Sequence, residues 1–481
     1  MSEFPQPPHT VPRAEATGGK DNGARSAAAM SLEEKIQSVG GPLRLLRLPR
    51  LGVLPFPVKS EFSNWRDEQQ SWCKTAVLFD QSHHMTDSTI EGPDCYRLLS
   101  ELSINSFAAF GPMQAKQLVF CSHDGYLIGD AIAFGLADKL VRVVGRGPAH
   151  GWLKFHAELG GYDVAYRRDE RTVANTRDRE LYRFQVNGPA AMQILEKVNG
   201  GPLPEIGFFK MGKLKVGKHQ ATGLNHRMSG FPGLELFGPY AEGEAVRETL
   251  LEAGAEFGLT PAGAKAYASV AVESGWIAQI TPAVYTGERM RRYREWLPAS
   301  GFEGNVNLAG SFVSDRIEDY YATPWDHGFG FMLKFDHDFI GREALQKMVP
   351  QPHRHKAWLY WRRDDVARVF ASLYEPSDRR FKYIDMPAAW YGSMQYDRVE
   401  GASGKLIGLS RSAAYTVNVP GWISLCVIDD ADLSYGAEVS LVWGEPDGGS
   451  GNPAVERHAQ TRIRATLGRK PYFGVTQGST V

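Results

Sequence analysis

The sequence predicts an α+β protein: two duplicated α+β lobes around a central cleft, then a C-terminal antiparallel β-barrel-like domain. Three observations lead there. A short strand ending in Gly-Pro and opening into a helix occurs twice, at Gly92-Pro93 and Gly188-Pro189, 96 positions apart (188 − 92). Proline suits the first turn of a helix, where its missing N–H has no partner to lose. Both copies continue with helical apolar spacing, Leu98, Leu99 and Leu102 in one and Ile194, Leu195 and Val198 in the other. Both are then followed by a strand-turn-strand signal, around His123-Asp124-Gly125 and around Ser229-Gly230-Phe231-Pro232-Gly233. From about residue 356 onward, strands alternate with turns such as Ser403-Gly404 and Asp447-Gly448-Gly449, which suits a small antiparallel barrel.

A chain of 481 residues fits about three domains. The expected division is a disordered tail over 1–29, lobes over 30–180 and 181–350, and a β-rich domain over 351–481. Lys and Arg number 54 against 55 Asp and Glu, a net charge of −1. That balance offers no single-sign field for nucleic acid or anionic lipid. No apolar run approaches the ~20 residues of a membrane helix. Cys73, Cys95, Cys121 and Cys426 are scattered without a C-x-x-C pair, so reduced thiols in the cytoplasm are expected rather than disulfides or zinc.

In chain order, residues 1–29 are rich in Pro, Gly, Ala and charge and have no signal-peptide core. They read as a disordered tail or a mis-assigned start, with Met30 as an alternative initiator. Ser31-Leu32-Glu33-Glu34 fits a capping box, so structure is expected to begin there. After the turn-rich Leu54-Pro55-Phe56-Pro57, Trp65 and Trp72 stand at helical spacing. Val77-Leu78-Phe79-Asp80 reads as a strand running into Gln81-Ser82-His83-His84. Neighbours on a strand point to opposite faces, so His83 and His84 are not expected to grip one metal ion. The segment 140–151 is a strand opening into a helix. Its glycines follow G-x-G-x-x-x-G rather than the dinucleotide spacing, and no well-placed acid follows. Lys334-Phe335 reads as a strand leading through a turn into a helix ending near Leu345, and Val349-Pro350-Gln351-Pro352-His353 as a linker.

Three residues carry chemistry. Tyr267 stands among Ala266, Ala268, Ser269 and Ala271, with Glu273 and Trp276 close behind. Small neighbours leave room that a packing segment would fill with larger side chains. A phenol with a reference pKa of about 10 is matched to a leaving group that is itself a phenolate. A core tyrosine beside a strand-end tryptophan is the competing reading, and the residues leave both open. Arg146, at the end of an apolar strand among glycines, suits a carboxylate held through two parallel hydrogen bonds; a rim arginine paired with a surface acid is the alternative. Glu235 is a lone acid on an apolar strand, expected to face outward or to meet a ligand donor.

Together these stretches resemble the aminomethyltransferase fold of the glycine-cleavage T-protein, from about residue 40 to near the end. Asp80-Gln81-Ser82-His83-His84-Met85 is similar to its D-x-S-H-M segment, residues 229–235 to its glycine-rich segment ending in a folate-binding glutamate, and Asp338-Phe339-Ile340-Gly341-Arg342-Glu343-Ala344-Leu345 to its D-F-I-G-[KR]-E-A-L signature. Within that superfamily the chain most resembles the tetrahydrofolate-dependent aryl O-demethylases acting on syringate and vanillate, through Glu61-Phe62-Ser63-Asn64-Trp65, Tyr293-Arg294-Glu295-Trp296-Leu297-Pro298-Ala299, Gly310-Ser311-Phe312-Val313-Ser314 and Ile317-Glu318-Asp319-Tyr320-Tyr321.

The resemblance implies a methyltransferase of lignin-derived aromatic catabolism with tetrahydrofolate as methyl acceptor and no metal. Carried over by position, Tyr267 matches the essential tyrosine, and Arg146 and His84 the substrate-binding pair. Gln81, Val144, Glu235 and Trp276 match positions lining the folate pocket. Phe56 stands where vanillate-acting members have a tyrosine, which tilts the expected substrate toward syringate, whose second methoxy group prefers an apolar wall. The T-protein's catalytic aspartate falls near Asp130, expected here to be structural or secondary. The implied protein is a cytoplasmic monomer or homodimer with a small aromatic acid as substrate. The rivals are a glycine-cleavage aminomethyltransferase and a non-enzymatic folate-binding scaffold. Pro282-Ala283-Val284-Tyr285-Thr286-Gly287-Glu288 lacks the cysteine of the scaffold type's K-G-C-Y-x-G-Q-E.

Overall fold

The computed structural model describes residues 30–47, 58–175, 177–278, 280–376, 379–449 and 455–469. The expected tail over 1–29 and the turn containing Phe56 lie outside them. Helix α1 (Leu32–Val39) starts as its capping box requires. The Ser31 hydroxyl accepts from the Glu34 N–H at 3.2 Å, and the Glu34 carboxylate accepts from the Ser31 N–H at 2.8 Å. After α2 (Pro42–Arg47), helix α3 (Trp65–Lys74) buries Trp65 and Trp72.

The duplication appears as two sheets of one design. Strand β1 (Ala76–Asp80) comes first in the chain. Then β2 (Thr86–Glu91), β3 (Ala115–Cys121), β4 (Leu127–Ala137), β5 (Leu140–Gly145) and β6 (Ala165–Asp169) form an antiparallel sheet ordered β3-β4-β5-β2-β6. Helices α4 (Cys95–Leu102) and α5 (Gly147–Leu159) pack on it. The second sheet contains β7 (Leu181–Asn187), β8 (Met211–Val216), β9 (His219–Leu224), β10 (Gly233–Pro239) and β11 (Leu259–Ala262), ordered β8-β9-β10-β7-β1-β11. Helices α6 (Ala191–Asn199) and α7 (Gly243–Gly254) cover it. The second order is the first with β1 inserted between β7 and β11. Thus the strand that leads into Gln81–His84 leaves the first lobe's sequence and joins the second lobe's sheet.

The repeat's glycines show why they are needed. Gly92 has φ +144° and Gly188 φ +134°. A Cβ would meet Asp163 O at 2.3 Å in the first and Thr75 O at 2.6 Å in the second. Each therefore lets the next strand approach where no side chain fits. The two sheets meet at another equivalent pair, Met113 (φ 59°) and Phe209 (φ 56°), the two non-glycine residues at positive φ among those described. The Ala115 N–H donates to Phe209 O at 2.8 Å, and the Met211 N–H to Met113 O at 2.9 Å, an exchange that relates one copy to the other by two-fold symmetry. Behind this seam, Ala115, Phe134, Val144, Met211, Leu224 and Phe237 form an apolar cluster between the sheets.

The segment around Tyr267 is helix α8 (Ala264–Ser274), not a strand ending at Trp276. Alternating valines favour the strand reading, but four alanines in the run favour helix. The burial of Ala266, Ser269, Val270 and Glu273 follows the helical period. Gly275, at φ +81°, caps it. Lys334-Phe335 likewise forms no strand: Lys334 makes one backbone bond, to Ile104 O at 2.9 Å, before the chain bends away. Helices α9 (Arg291–Trp296) and α10 (Arg342–Met348) follow, and the expected linker ends where the barrel begins.

Past the short parallel pair β12 (Leu308–Ala309) and β14 (Met394–Gln395), six strands close the barrel. They are β13 (Arg354–Trp361), β15 (Asp397–Glu400), β16 (Leu406–Thr416), β17 (Gly421–Asp429), β18 (Glu438–Trp443) and β19 (Thr461–Gly468). Helix α11 (Arg363–Ala371) packs on it. The barrel grips α8 from outside: Trp358 Nε1 donates to Val272 O at 2.9 Å and Lys356 Nζ to Gly275 O at 2.8 Å. A cation suits the carbonyl end of a helix. Glu273 is held between Trp72 Nε1 at 2.7 Å on α3 and the Thr416 hydroxyl of the barrel. Among the described residues, no helix is long and apolar enough to cross a membrane.

Candidate active site

Strand β1 ends at Asp80, and residues 82–84 form a turn rather than more strand. The turn is fastened to β7: the Gln81 N–H donates to Arg183 O at 2.8 Å, and the Arg183 N–H to the Ser82 hydroxyl at 3.0 Å. The two histidines face different partners. His83 Nδ1 lies 2.8 Å from the Thr172 hydroxyl, and His84 Nε2 lies 2.9 Å from the Tyr267 hydroxyl. Gln81 Nε2 also donates to Tyr267 Oη, at 3.3 Å, and lies 2.8 Å from Met228 Sδ. Phe79 meets the Tyr267 ring edge-on at 5.4 Å.

Burial sets the protonation of this pair. It drives the Tyr267 phenol well above its ordinary range, so the hydroxyl keeps its proton at neutral pH. Burial, with the nearby Arg146 guanidinium, holds the His84 imidazole down to about 3, so it is neutral. Arg146 and Glu235 both act electrostatically on Tyr267. Tyr267, His84 and Gln81 thus touch one another, with Arg146 and Glu235 within electrostatic reach.

Arg146 is the N-cap residue of α5, at the end of β5, and its guanidinium sits over the Trp276 ring at 5.8 Å. Trp276, just past the Gly275 cap, donates its indole N–H to Asp130 Oδ2 at 3.2 Å, and Gln117 Nε2 donates to the same oxygen at 2.7 Å. Burial pushes the Asp130 carboxyl up to about 6. Asp130 therefore anchors Trp276. Arg146, Asp130, Gly129, Ala149, Ile280 and Phe302 line one recess.

Of the two expectations for Glu235, the outward-facing one does not hold, because the side chain is buried. Arg183 on the adjacent strand forms a short ion pair with it. Arg183 also holds Asp87 at 3.2 Å, and Arg179 holds Asp87 and Asp169, each at 3.1 Å. This buried chain of charges ties the two sheets together. Arg183 lies between the rings of Phe134 and Phe237, at 5.0 and 5.3 Å. Arg183, Asp87 and Met228 were not singled out from sequence. A signal existed: Arg183, Gln185 and Asn187 alternate with Tyr182, Phe184 and Val186, and all six are buried. A strand whose polar stripe is buried faces a polar interior. Val144, on β5 opposite Asp87, packs in the inter-sheet cluster.

Several buried polar atoms lack a hydrogen-bond partner among the described residues, including Gln185 Oε1 on the residue opposite Glu235 in the sheet, His226 Nδ1, Gln81 Oε1 and Ser229 Oγ. His226 Nδ1 is 3.7 Å from Glu235, too far for a hydrogen bond. Unsatisfied buried groups are costly, and these atoms could take hydrogen bonds from a polar ligand.

A family model described as the GCVT N-terminal domain matches residues 49–281. The chain is 42% identical over 451 residues to the syringate O-demethylase of Sphingobium sp. (strain SYK-6), covering 93% of this chain and 97% of that protein. It is 30% identical over 406 residues to the sesamin methylene transferase of Sinomonas sp. (strain No.22), covering 82% of this chain and 84% of that protein. Its fold is similar to that of the glycine cleavage system aminomethyltransferase T from Bartonella henselae, with a TM-score of 0.57 and 16% identity, over 87% of this chain and 91% of that one.

Proposed function

Since this chain belongs to the GCVT family of the aminomethyltransferase fold, together with the syringate O-demethylase it matches along nearly its whole length, we propose that it moves the O-methyl group of a methoxylated aromatic acid to N5 of tetrahydrofolate. The protein is a methyltransferase of the O-demethylase type. Syringate is the favoured substrate and vanillate the second. The observation that carries the reading is the buried Tyr267 hydroxyl, bonded to a neutral His84 and within electrostatic reach of Arg146 and Glu235.

In this reading Arg146 anchors the ring carboxylate beside Trp276, with Asp130 fixing the indole. His84 and Gln81 aim the Tyr267 hydroxyl at the ether oxygen. As the methyl–oxygen bond breaks, Tyr267 gives its proton to the phenolate, a base released in the same water-poor pocket that keeps the tyrosine protonated. General acid help of this kind typically contributes 10²–10⁴-fold. Glu235, Gln81, Gln185, His226 and Ser229 would hold tetrahydrofolate, with Val144 and Trp276 as walls. When bound, it supplies the N5 electron pair that accepts the methyl group and releases one proton, matching the one the phenolate takes up. Phe56 carries the preference for the second methoxy group. Four free cysteines, three of them buried, suit a reducing compartment, and we place the reaction in the cytoplasm.

Incubation with tetrahydrofolate and, in parallel, syringate, vanillate and 3-O-methylgallate tests the reading. The expected result is equal formation of demethylated phenol and 5-methyltetrahydrofolate, fastest with syringate. Turnover of a lipoylated aminomethyl carrier, with none of the aromatic acids, would replace it with the aminomethyltransferase reading.

A further inference from the structure

Helix α8 carries Tyr267 in its first half and ends at the Gly275 cap, directly before Trp276. A helix end leaves its last carbonyls without partners inside the helix. Here Ala271 O takes the N–H groups of both Gly275 and Trp276, each at 3.0 Å, and the barrel takes two more carbonyls. Alternation along β13 sends Ala357, Leu359 and Trp361 into the barrel core and Lys356 and Trp358 out towards α8. Trp358 Nε1 donates to Val272 O at 2.9 Å, and Lys356 Nζ to Gly275 O at 2.8 Å. The fit is close. A Cβ on Gly275 would lie 2.5 Å from the Trp358 ring, and one on Gly328, at φ +74°, 3.4 Å from Lys356 Nζ. The Gly275 C=O and the Trp276 N–H belong to one planar peptide unit. With its oxygen held by Lys356 and its N–H by Ala271 O, that unit has a fixed orientation, and so does the start of the Trp276 side chain. The indole then reaches Asp130 Oδ2 at 3.2 Å and carries the Arg146 guanidinium over its ring at 5.8 Å, within the range of a cation–π contact. Just beyond, Ala278 and Ile280 line the recess shared with Asp130 and Arg146.

We propose that Lys356 is a positioning residue of the active site: a barrel ammonium that, by fixing the Gly275–Trp276 peptide, sets the indole on which Arg146 rests. This inference rests on the function proposed above and extends it to the C-terminal domain. A lysine suits the place because its charge complements the carbonyl end of α8. Burial disfavours the ammonium, and the bond to Gly275 O offsets that cost. The barrel thereby acts on the ligand site through one backbone carbonyl.

The test uses the full-length enzyme with Lys356→Met, Trp276→Ala and the two combined. Thr416→Val, which removes a different barrel bond to α8, is the comparison. Two quantities are read: kcat/KM for syringate, and the magnetic resonance signal of the Trp276 indole N–H, identified by its loss in Trp276→Ala. Lys356→Met is expected to lower kcat/KM by about tenfold or more, the scale of a hydrogen bond from a charged group, and to shift the Trp276 signal. In the Trp276→Ala background the same substitution changes kcat/KM by less than about twofold, because residues acting in one chain of contacts are not additive. Thr416→Val leaves the signal in place and kcat/KM within about twofold of the unmutated enzyme. Full additivity in the double variant, an unmoved Trp276 signal in Lys356→Met, or an equal loss in Thr416→Val overturns the assignment. Lys356→Gln takes the place of Lys356→Met throughout if the latter does not fold. If the unmutated protein does not demethylate syringate, the functional reading fails and the indole signal alone decides Lys356.

Discussion

The Tyr267 hydroxyl and His84 Nε2 stand 2.9 Å apart although 183 residues separate them in the chain. Two different elements, the β1 turn and helix α8, bring a phenol that keeps its proton against an imidazole that has none to spare. Removing the hydroxyl in Tyr267→Phe leaves the ring and its contact with Phe79 in place. Turnover should fall by at least about tenfold to a hundredfold, the scale of lost acid catalysis, while tetrahydrofolate affinity stays nearly unchanged. Stopped turnover measurements with parallel folate binding check this, and near-normal kcat would remove the acid role.

Arg146 is expected to act through binding rather than chemistry. In Arg146→Ala the KM for carboxylated substrates rises with a smaller change in kcat, because a ring anchor is used in both ground and transition states. An effect confined to folate affinity would instead assign Arg146 to the other ligand.

Arg183 joins Asp87 on the first sheet to Glu235 on the second. Arg183→Met strands the buried Glu235 carboxylate and leaves Asp87 to Arg179 alone, and breaking a buried ion pair from one side costs about 3–5 kcal/mol. Urea unfolding should show a loss of this order. A loss below about 1 kcal/mol would mean that the charge chain does not hold the lobes together.

Glu273 sets a pH dependence. Burial raises its carboxyl from the ordinary 4.5 to about 7 despite hydrogen bonds from Thr416, Trp72 and Asn418. Between those values the folded protein holds a proton that the unfolded chain has released. Stability is therefore fully present below about pH 4.5 and declines as pH rises toward 7. At about 1.4 kcal/mol per pH unit, the window amounts to roughly 3 kcal/mol. Glu273→Gln should flatten this slope, measured as unfolding free energy at pH 5, 6 and 7; an unchanged slope would place its origin elsewhere.

Much was legible in the chain itself. The repeated Gly-Pro junction gave two lobes, because a glycine at positive φ and a proline at a helix start are local demands written in single residues. The capping box at Ser31, the turns at Gly125 and Gly404 and the strand-rich barrel were legible for the same reason. Tyr267 and Arg146 stood out by residue type against small or apolar neighbours. The helix around Tyr267 was harder to see, since alternating valines in a short run fit either period. What the tertiary structure alone decided is pairing between distant segments: β1 inserted between β7 and β11, Arg183 set against Glu235 and Asp87, and His84 bonded to Tyr267. Alternation along a strand tells which face a residue takes, but not which strand or side chain will lie opposite. That choice is made by packing and by the need to satisfy buried charge, which only the assembled sheets resolve.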